Sequence, residues 1–122
     1  MAVGKVIPEL DGKLSGMSFR VPTIDVSVVD LTVRTAKNTT LEEVFKAFRK
    51  QSSEDLQGIL VTTEKPLVSS DFIGAQHSCI IDEQACMQIG DNFLKIVAWY
   101  DNEWGYSNRV VDLLVHVTSN SI

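Results

Sequence analysis

The strongest constraint on the fold is a local one near the middle of the chain. Thr40-Leu-Glu-Glu43 has the spacing of a capping box. The Thr40 hydroxyl can accept from the Glu43 amide while the Glu43 carboxylate reaches back to the amide of Thr40. Leu41, Val44, Phe45 and Phe48 then recur at helical spacing, which predicts an amphipathic helix over about 41–51. Its neighbours on both sides have a different character. From Met17 to Val33 the apolar side chains are bulky or β-branched: Phe19, Val21, Val26, Val28, Val29, Leu31 and Val33. Pro22 removes one ladder donor there, so the stretch is expected as two strands or one bent strand.

Downstream, Gly58–Thr63 reads as a strand, Leu67–Phe72 as an extended piece after Pro66, Ser78–Ile81 as a short strand and Phe93–Tyr100 as a longer, mostly buried one. A last helix is expected from about Glu103 to Val117, with Val110, Val111, Leu114 and Val117 forming one buried face. Pro8, Gly12 and Gly16 mark the first sixteen residues as a loop or short helix followed by a turn. Strands and helices that mix without regular β-α-β alternation argue for an α+β fold.

The bulk properties narrow the function classes. A chain of 122 residues suits one domain, and 44% hydrophobic with 22% charged residues can build a core. The net charge of −5 repels phosphate backbones, so nucleic acid is not an expected partner. The densest basic stretch, Lys46-Ala-Phe-Arg-Lys50, has the spacing of a solvated helix face. No apolar run approaches the roughly 20 residues that cross a bilayer. The first eight residues lack an apolar core like that of a signal peptide, so the expected setting is soluble and intracellular, away from membranes. Cys79 and Cys86 make neither a disulfide framework nor a zinc pattern, and no metal site is expected. No G-x-G-x-x-G or P-loop glycine pattern occurs.

Two long segments are more specific. They are Gly16-Met-Ser-Phe-Arg-Val-Pro-Thr-Ile-Asp-Val-Ser-Val-Val-Asp-Leu-Thr32 and Trp99-Tyr-Asp-Asn-Glu-Trp-Gly-Tyr-Ser-Asn-Arg-Val-Val-Asp112. Both resemble signature stretches of glyceraldehyde-3-phosphate dehydrogenase. Pro66–Phe72 and Ile89-Gly-Asp-Asn-Phe-Leu-Lys-Ile96 resemble the same family in the same order, so the likeness covers essentially the whole chain. It implies an α+β, mixed and largely antiparallel sheet with about two helices. Residues 1–122 would be part of the family's C-terminal catalytic domain, without its N-terminal nucleotide-binding domain.

The resemblance also implies residue roles. Arg20 would bind a phosphate of the substrate, for which a guanidinium fork is suited. On its chemistry alone Arg20 would sooner be read as a surface ion-pair residue. Asn102, with a donor and an acceptor on one side chain, would orient the nicotinamide carboxamide, and Tyr106 would lie beside the nicotinamide ring. Their chemistry alone fits a helix N-terminal cap with aromatic packing.

The family's nucleophilic cysteine, in a Ser-Cys-Thr-Thr-Asn motif, and its histidine have no counterpart in this sequence, so no catalytic residue is assigned. His77 and Cys79, two apart, would share one face of a strand without forming a catalytic pair. Both cysteines are expected as buried, apolar thiols. His116 is expected to face the negative end of the last helix's dipole.

The family likeness thus implies a fragment of an NAD- or NADP-dependent phosphorylating dehydrogenase that acts on glyceraldehyde 3-phosphate and phosphate, is cytoplasmic, and is inactive alone. Its partners would be an N-terminal fragment or other dehydrogenase subunits, with little or no cofactor binding by itself. Two alternatives stand beside this: a non-catalytic remnant that associates with full-length subunits, and part of a relative acting on erythrose 4-phosphate.

Overall fold

A computed structural model describes residues 3–119. Residues 1–2 and 120–122 lie outside the described residues. A short helix α1 (Val3–Val6) and a 3-10 turn (Pro8–Leu10) precede strand β1 (Ser27–Arg34) and helix α2 (Leu41–Ser53). Strands β2 (Leu60–Thr63), β3 (Cys79–Asp82), β4 (Met87–Ile89) and β5 (Phe93–Tyr100) follow, with a 3-10 turn at Ser69–Phe72, and helix α3 (Trp104–Ser119) closes the chain.

The five strands form one mixed sheet in the order β1-β5-β3-β2, with β4 also on β5. Strand β5 is its axis. Strand β1 runs antiparallel to it from Ser27↔Tyr100 to Arg34↔Phe93. Along the other edge, β3 pairs with the C-terminal half of β5 and β4 with the N-terminal half, both antiparallel. Only β2 and β3 are parallel among the described strands. The α+β, largely antiparallel expectation is borne out.

Alternation along β5 builds two cores. Leu94, Ile96 and Ala98 point to one face, where they meet Ile81, Leu60 and Cys86 beneath α2. The predicted stripe is the one that docks: Phe45 is buried, and Leu41, Val44 and Phe48 pack around it. The capping box is present, with Thr40 Oγ1 accepting from the Glu43 amide at 3.2 Å and Glu43 Oε2 accepting from the Thr40 amide at 2.8 Å. That backbone bond leads the contacts holding the exposed Glu43 carboxyl below its ordinary value. On the opposite face Trp99 stacks on Phe72, with ring centroids 5.6 Å apart, and its Nε1 donates to the buried Asp82 at 3.1 Å. Val26 and Ile80 complete that smaller cluster.

Arg49 ties α2 to the sheet. Its Nε and Nη2 donate to the Glu83 carboxylate, and Nη2 also reaches Glu64 at 2.9 Å. Glu83 is nearly enclosed, with a side chain 6% exposed. Gln88 pins the N-terminus of α2 from below: its Oε1 accepts from the Leu41 amide at 2.9 Å and its Nε2 donates to Thr39 O at 2.8 Å.

Four expectations are corrected. The β-rich stretch 17–33 contributes only β1. Residues 17–24 are exposed coil and bend, because no strand among the described residues offers them a ladder and Pro22 lacks a donor. Residues 69–72 are a 3-10 turn rather than extended: Asp71 Oδ2 accepts from the Val68 amide at 2.8 Å and the turn swings Phe72 into the core. Strand β4 was not expected, since its two apolar residues, Met87 and Ile89, are both exposed. The fourth concerns α3, whose expected buried face is absent. Val110, Val111, Leu114 and Val117 are all exposed, and Gly105 is the only buried residue of the helix.

Asp101 starts α3. Its Oδ1 accepts from the amides of Glu103 (3.0 Å) and Trp104 (2.7 Å), and its Oδ2 from Gly74 (2.8 Å). Burial pushes this carboxyl up, but the bonds from Trp104, Gly74 and Glu103, with the Asp25 side chain, outweigh burial and hold it below the usual value.

Three outcomes are expected. Thr40→Ala removes a cap and lowers stability by about 1 kcal/mol in urea titration followed by circular dichroism. Arg49→Met strands the enclosed Glu83 carboxylate and lowers the urea midpoint, and adding Glu83→Gln restores part of the loss. An Arg49→Met midpoint equal to the parent's would show that the pair contributes nothing. The third concerns acid. A carboxyl held low in the fold stabilises the fold above its unfolded value, and that contribution is lost as pH falls through the folded value. Stability therefore declines from about pH 4 downward. Asp101→Asn flattens that decline, while an unchanged acid slope would refute the assignment to Asp101.

Candidate functional site

The segment 16–26 crosses the Trp99 face of the sheet and leaves a cleft of about 960 Å³. Trp99 and Tyr100 at the end of β5 and Val28 on β1 line its sheet side, and Arg20, Asn102 and Glu103 line it from the loops. The cleft is present because β1 continues past its ladder into an unpaired loop while β5 turns at once into α3.

Two local features set the geometry at the junction. Val26 has φ 73°, the left-handed region that a β-branched residue adopts only under strain. Its amide donates to Asp25 Oδ1 at 2.7 Å, and its side chain is buried beside Phe72 and Ile80. The next residue, Ser27, donates its hydroxyl to Asn102 Oδ1 at 3.1 Å. Since Ser27 pairs with Tyr100, the β1–β5 register itself delivers this serine to Asn102. Asp101 performs the capping, so Asn102 is not used as a cap. Its amide nitrogen carries no hydrogen bond among the described residues and remains a donor for a ligand.

Arg20 is exposed and forms no ion pair among the described residues, so the surface salt-bridge alternative finds no partner. The cleft is not uniformly positive, because Asp25, Asp30 and Glu103 also line it. Lys95 neutralises Asp30 at 2.9 Å. Tyr106 is 70% exposed and lies in an adjoining depression of about 300 Å³, together with Asn102, Tyr100 and Arg109. Asn102 is therefore shared by both hollows. Arg20 and Asn102 line one, Asn102 and Tyr106 the other, and no single hollow holds all three.

Neither cysteine and neither histidine lines the cleft. Cys86 is buried under α2, where it accepts from the Val97 amide at 3.4 Å, and burial pushes its thiol up. Cys79 is half-buried and its thiol is also raised by burial. Both thiols behave as the expected core groups. His77 lies before β3, which begins at Cys79, so the two do not share a strand face. His116 sits in the last turn of α3 as expected. Among the described residues no cluster of His, Cys, Asp or Glu could hold a metal. Ser27 and Asp101 were missed in the sequence. Asp101 carries the signal of an acidic residue three before a helix start, whereas Ser27 meets Asn102 across 75 positions and carries none.

Residues 1–102 match the family model described as "Glyceraldehyde 3-phosphate dehydrogenase, C-terminal domain". The chain is 59% identical over 118 residues to the cytosolic glyceraldehyde-3-phosphate dehydrogenase of Antirrhinum majus, covering 97% of this chain and 35% of that protein. The cytosolic enzyme of Sinapis alba matches at 59% over 117 residues, 96% of this chain and 35% of that protein. The enzyme of Phytophthora infestans matches at 57% over 119 residues, 98% of this chain and 36% of that protein. The chain thus spans about a third of the length of the relatives it matches. These matches establish that the chain belongs to the glyceraldehyde-3-phosphate dehydrogenase family, with residues 1–102 matching its C-terminal domain.

Proposed function

We propose that this chain is the C-terminal catalytic-domain part of an NAD- or NADP-dependent phosphorylating glyceraldehyde-3-phosphate dehydrogenase, and that it does no chemistry by itself. The observation that carries the reading is the meeting of Arg20 and Asn102 in one cleft, although 82 positions separate them in the chain (102 − 20). In it, the unpaired Arg20 guanidinium holds the phosphate of glyceraldehyde 3-phosphate through charge-assisted bonds. The Asn102 amide nitrogen donates to the carbonyl of the nicotinamide carboxamide, because Ser27 already occupies the oxygen. Tyr106 stands beside the ring. The cofactor, when bound, supplies the hydride acceptor.

The thiolate this chemistry requires is not available from Cys79 or Cys86, which lie outside the cleft with raised thiols. Binding of a whole dinucleotide through Asn102 and Tyr106 alone is weak, because contacts to one end leave the cost of immobilising the other unmet. The setting is the cytoplasm, in keeping with the names of the cytosolic relatives. No helix among the described residues is long and apolar enough to cross a membrane.

The bare apolar ridge of α3 favours a second reading, of a non-catalytic remnant that associates with full-length subunits. Leu113, Leu114, Val115 and Val117 are more than half exposed. An exposed apolar ridge of this kind suits an interaction surface. One experiment separates the readings. The chain is mixed with a separately expressed N-terminal portion of a related dehydrogenase, and NAD reduction is followed with glyceraldehyde 3-phosphate and phosphate. The expected result is turnover on mixing and none from the chain alone. In the active mixture, Arg20→Ala raises KM for the aldehyde about tenfold or more, the scale of a lost charged hydrogen bond. Turnover by the isolated chain would overturn the proposal, and silence in both tubes from a folded chain would favour the remnant.

A further inference from the structure

Helix α3 presents a mechanical problem. It carries the site at its first turn, yet of its sixteen residues only Gly105 is buried, so apolar packing does not fix its rotation. What holds it lies along a single stripe at positions 101, 105 and 109, four apart and therefore on one face. Asp101 Oδ2 accepts from the Gly74 amide. Gly105 presses against His77 O, so closely that a β-carbon there would stand 3.2 Å from that oxygen. Arg109 Nη1 donates to Ser78 Oγ at 3.1 Å, Gln76 O at 3.3 Å and Gly58 O at 3.4 Å. Its Nε and Nη2 are held from the helix side by Asp112 Oδ2 at 2.8 and 2.7 Å. The stripe's other tertiary contacts fall on Gly58, residues 74–78 and, at Asp101, the Asp25 side chain, while Asp101 Oδ1 also caps the helix at the amides of Glu103 and Trp104.

We infer that Arg109 is a positioning residue for Asn102 and Tyr106: its guanidinium locks the rotation of α3 against residues 76–78 and so sets where those two side chains stand. Tyr106, in the first turn of α3, and Asn102, in the turn that leads into it, are each one residue past a member of the stripe, so a rotation of the helix displaces both. A bare Arg109–Asp112 pair on a solvated helix would do little. The same guanidinium also reaches three acceptors on a segment 31 to 51 positions away, which makes it a strut. Lysine cannot replace it, since a point charge cannot divide a planar fork between Asp112 and two carbonyls. The ligand role of Asn102 and Tyr106 rests on the function proposed above, whereas the strut rests on geometry alone.

The test is NMR on the whole chain, following the Asn102 side-chain amide, the Tyr106 ring and the Gly105 backbone amide, with and without nicotinamide mononucleotide. In Arg109→Met, circular dichroism is expected to show the parent's strand and helix content, while the three signals shift or broaden. The apparent Kd for the mononucleotide rises about fivefold, the scale of a lost hydrogen bond. Shifts near Arg20 induced by inorganic phosphate stay as in the parent, which a general loosening of the fold would not allow. Arg109→Lys recovers less than half of the effect. Asp112→Ala, which leaves the guanidinium in place but unsplinted, moves the same three signals by less and decides the matter if Arg109→Met does not fold. Parent-like Asn102 and Tyr106 signals in whichever of the two variants folds would overturn the inference. A parent chain in which the mononucleotide moves neither signal would overturn the cofactor reading, and the ligand-free spectra would still judge the strut.

Discussion

The register of β5 against β1 is the constraint on which the rest of the structure depends. Because side chains alternate along a strand, a slip of one residue would exchange the two faces of β5. Leu94, Ile96 and Ala98 would leave the core beneath α2, and Trp99 would leave its stack on Phe72 and its bond to Asp82. The same register places Ser27 opposite Tyr100, which brings its hydroxyl to Asn102. One ladder thus settles both where the apolar residues go and how the candidate site is assembled. Each core penalises the slip independently.

The two ends of the molecule are held by different physics. Helix α2 is attached by apolar burial, with polar contacts at its margins: the capping box, Gln88 at its first turn and Arg49 across to Glu83. Helix α3 has the reverse arrangement. Its apolar residues face outward and its attachment is polar, through Asp101, the close approach of Gly105 and the bonds of Arg109. Hydrogen bonds are directional where apolar contact is not, so a polar attachment fixes orientation well while contributing modestly to stability. That suits an element whose first turn borders the candidate site, and it leaves the apolar ridge exposed.

Much of the fold was legible before any coordinates. The Thr40 box with its apolar stripe became α2, and the uninterrupted run Phe93–Tyr100 became the central strand, because in both the local preference agrees with the burial pattern. The errors arose where local preference lacked a partner. Residues 17–24 are β-prone, but a strand needs a neighbour and none reaches them. The valines and leucines of α3 have the pattern of a buried face, but among the described residues nothing buries them. Met87–Ile89 became a strand because the hairpin turn at Gly90, with φ 62°, folds it onto β5, and its own side chains gave no sign of this. In the site, Arg20, Asn102 and Tyr106 were identified through resemblance. Their chemistry alone left each with a structural alternative.

The sequence by itself determined the helix at about 41–51, the strand at the heart of the sheet, the acidic character that disfavours nucleic acid, and the family. These follow from local spacing, composition and motif, which require no knowledge of distant neighbours. Only the tertiary structure decided that Asp101 rather than Asn102 caps α3, that Arg20 shares a cleft with Asn102, that Tyr106 occupies the adjoining hollow, and that α3 is held by its polar stripe. Each of these depends on contacts between segments tens of residues apart. Such contacts are set by strand order and register, and neither is written in any local window of the chain.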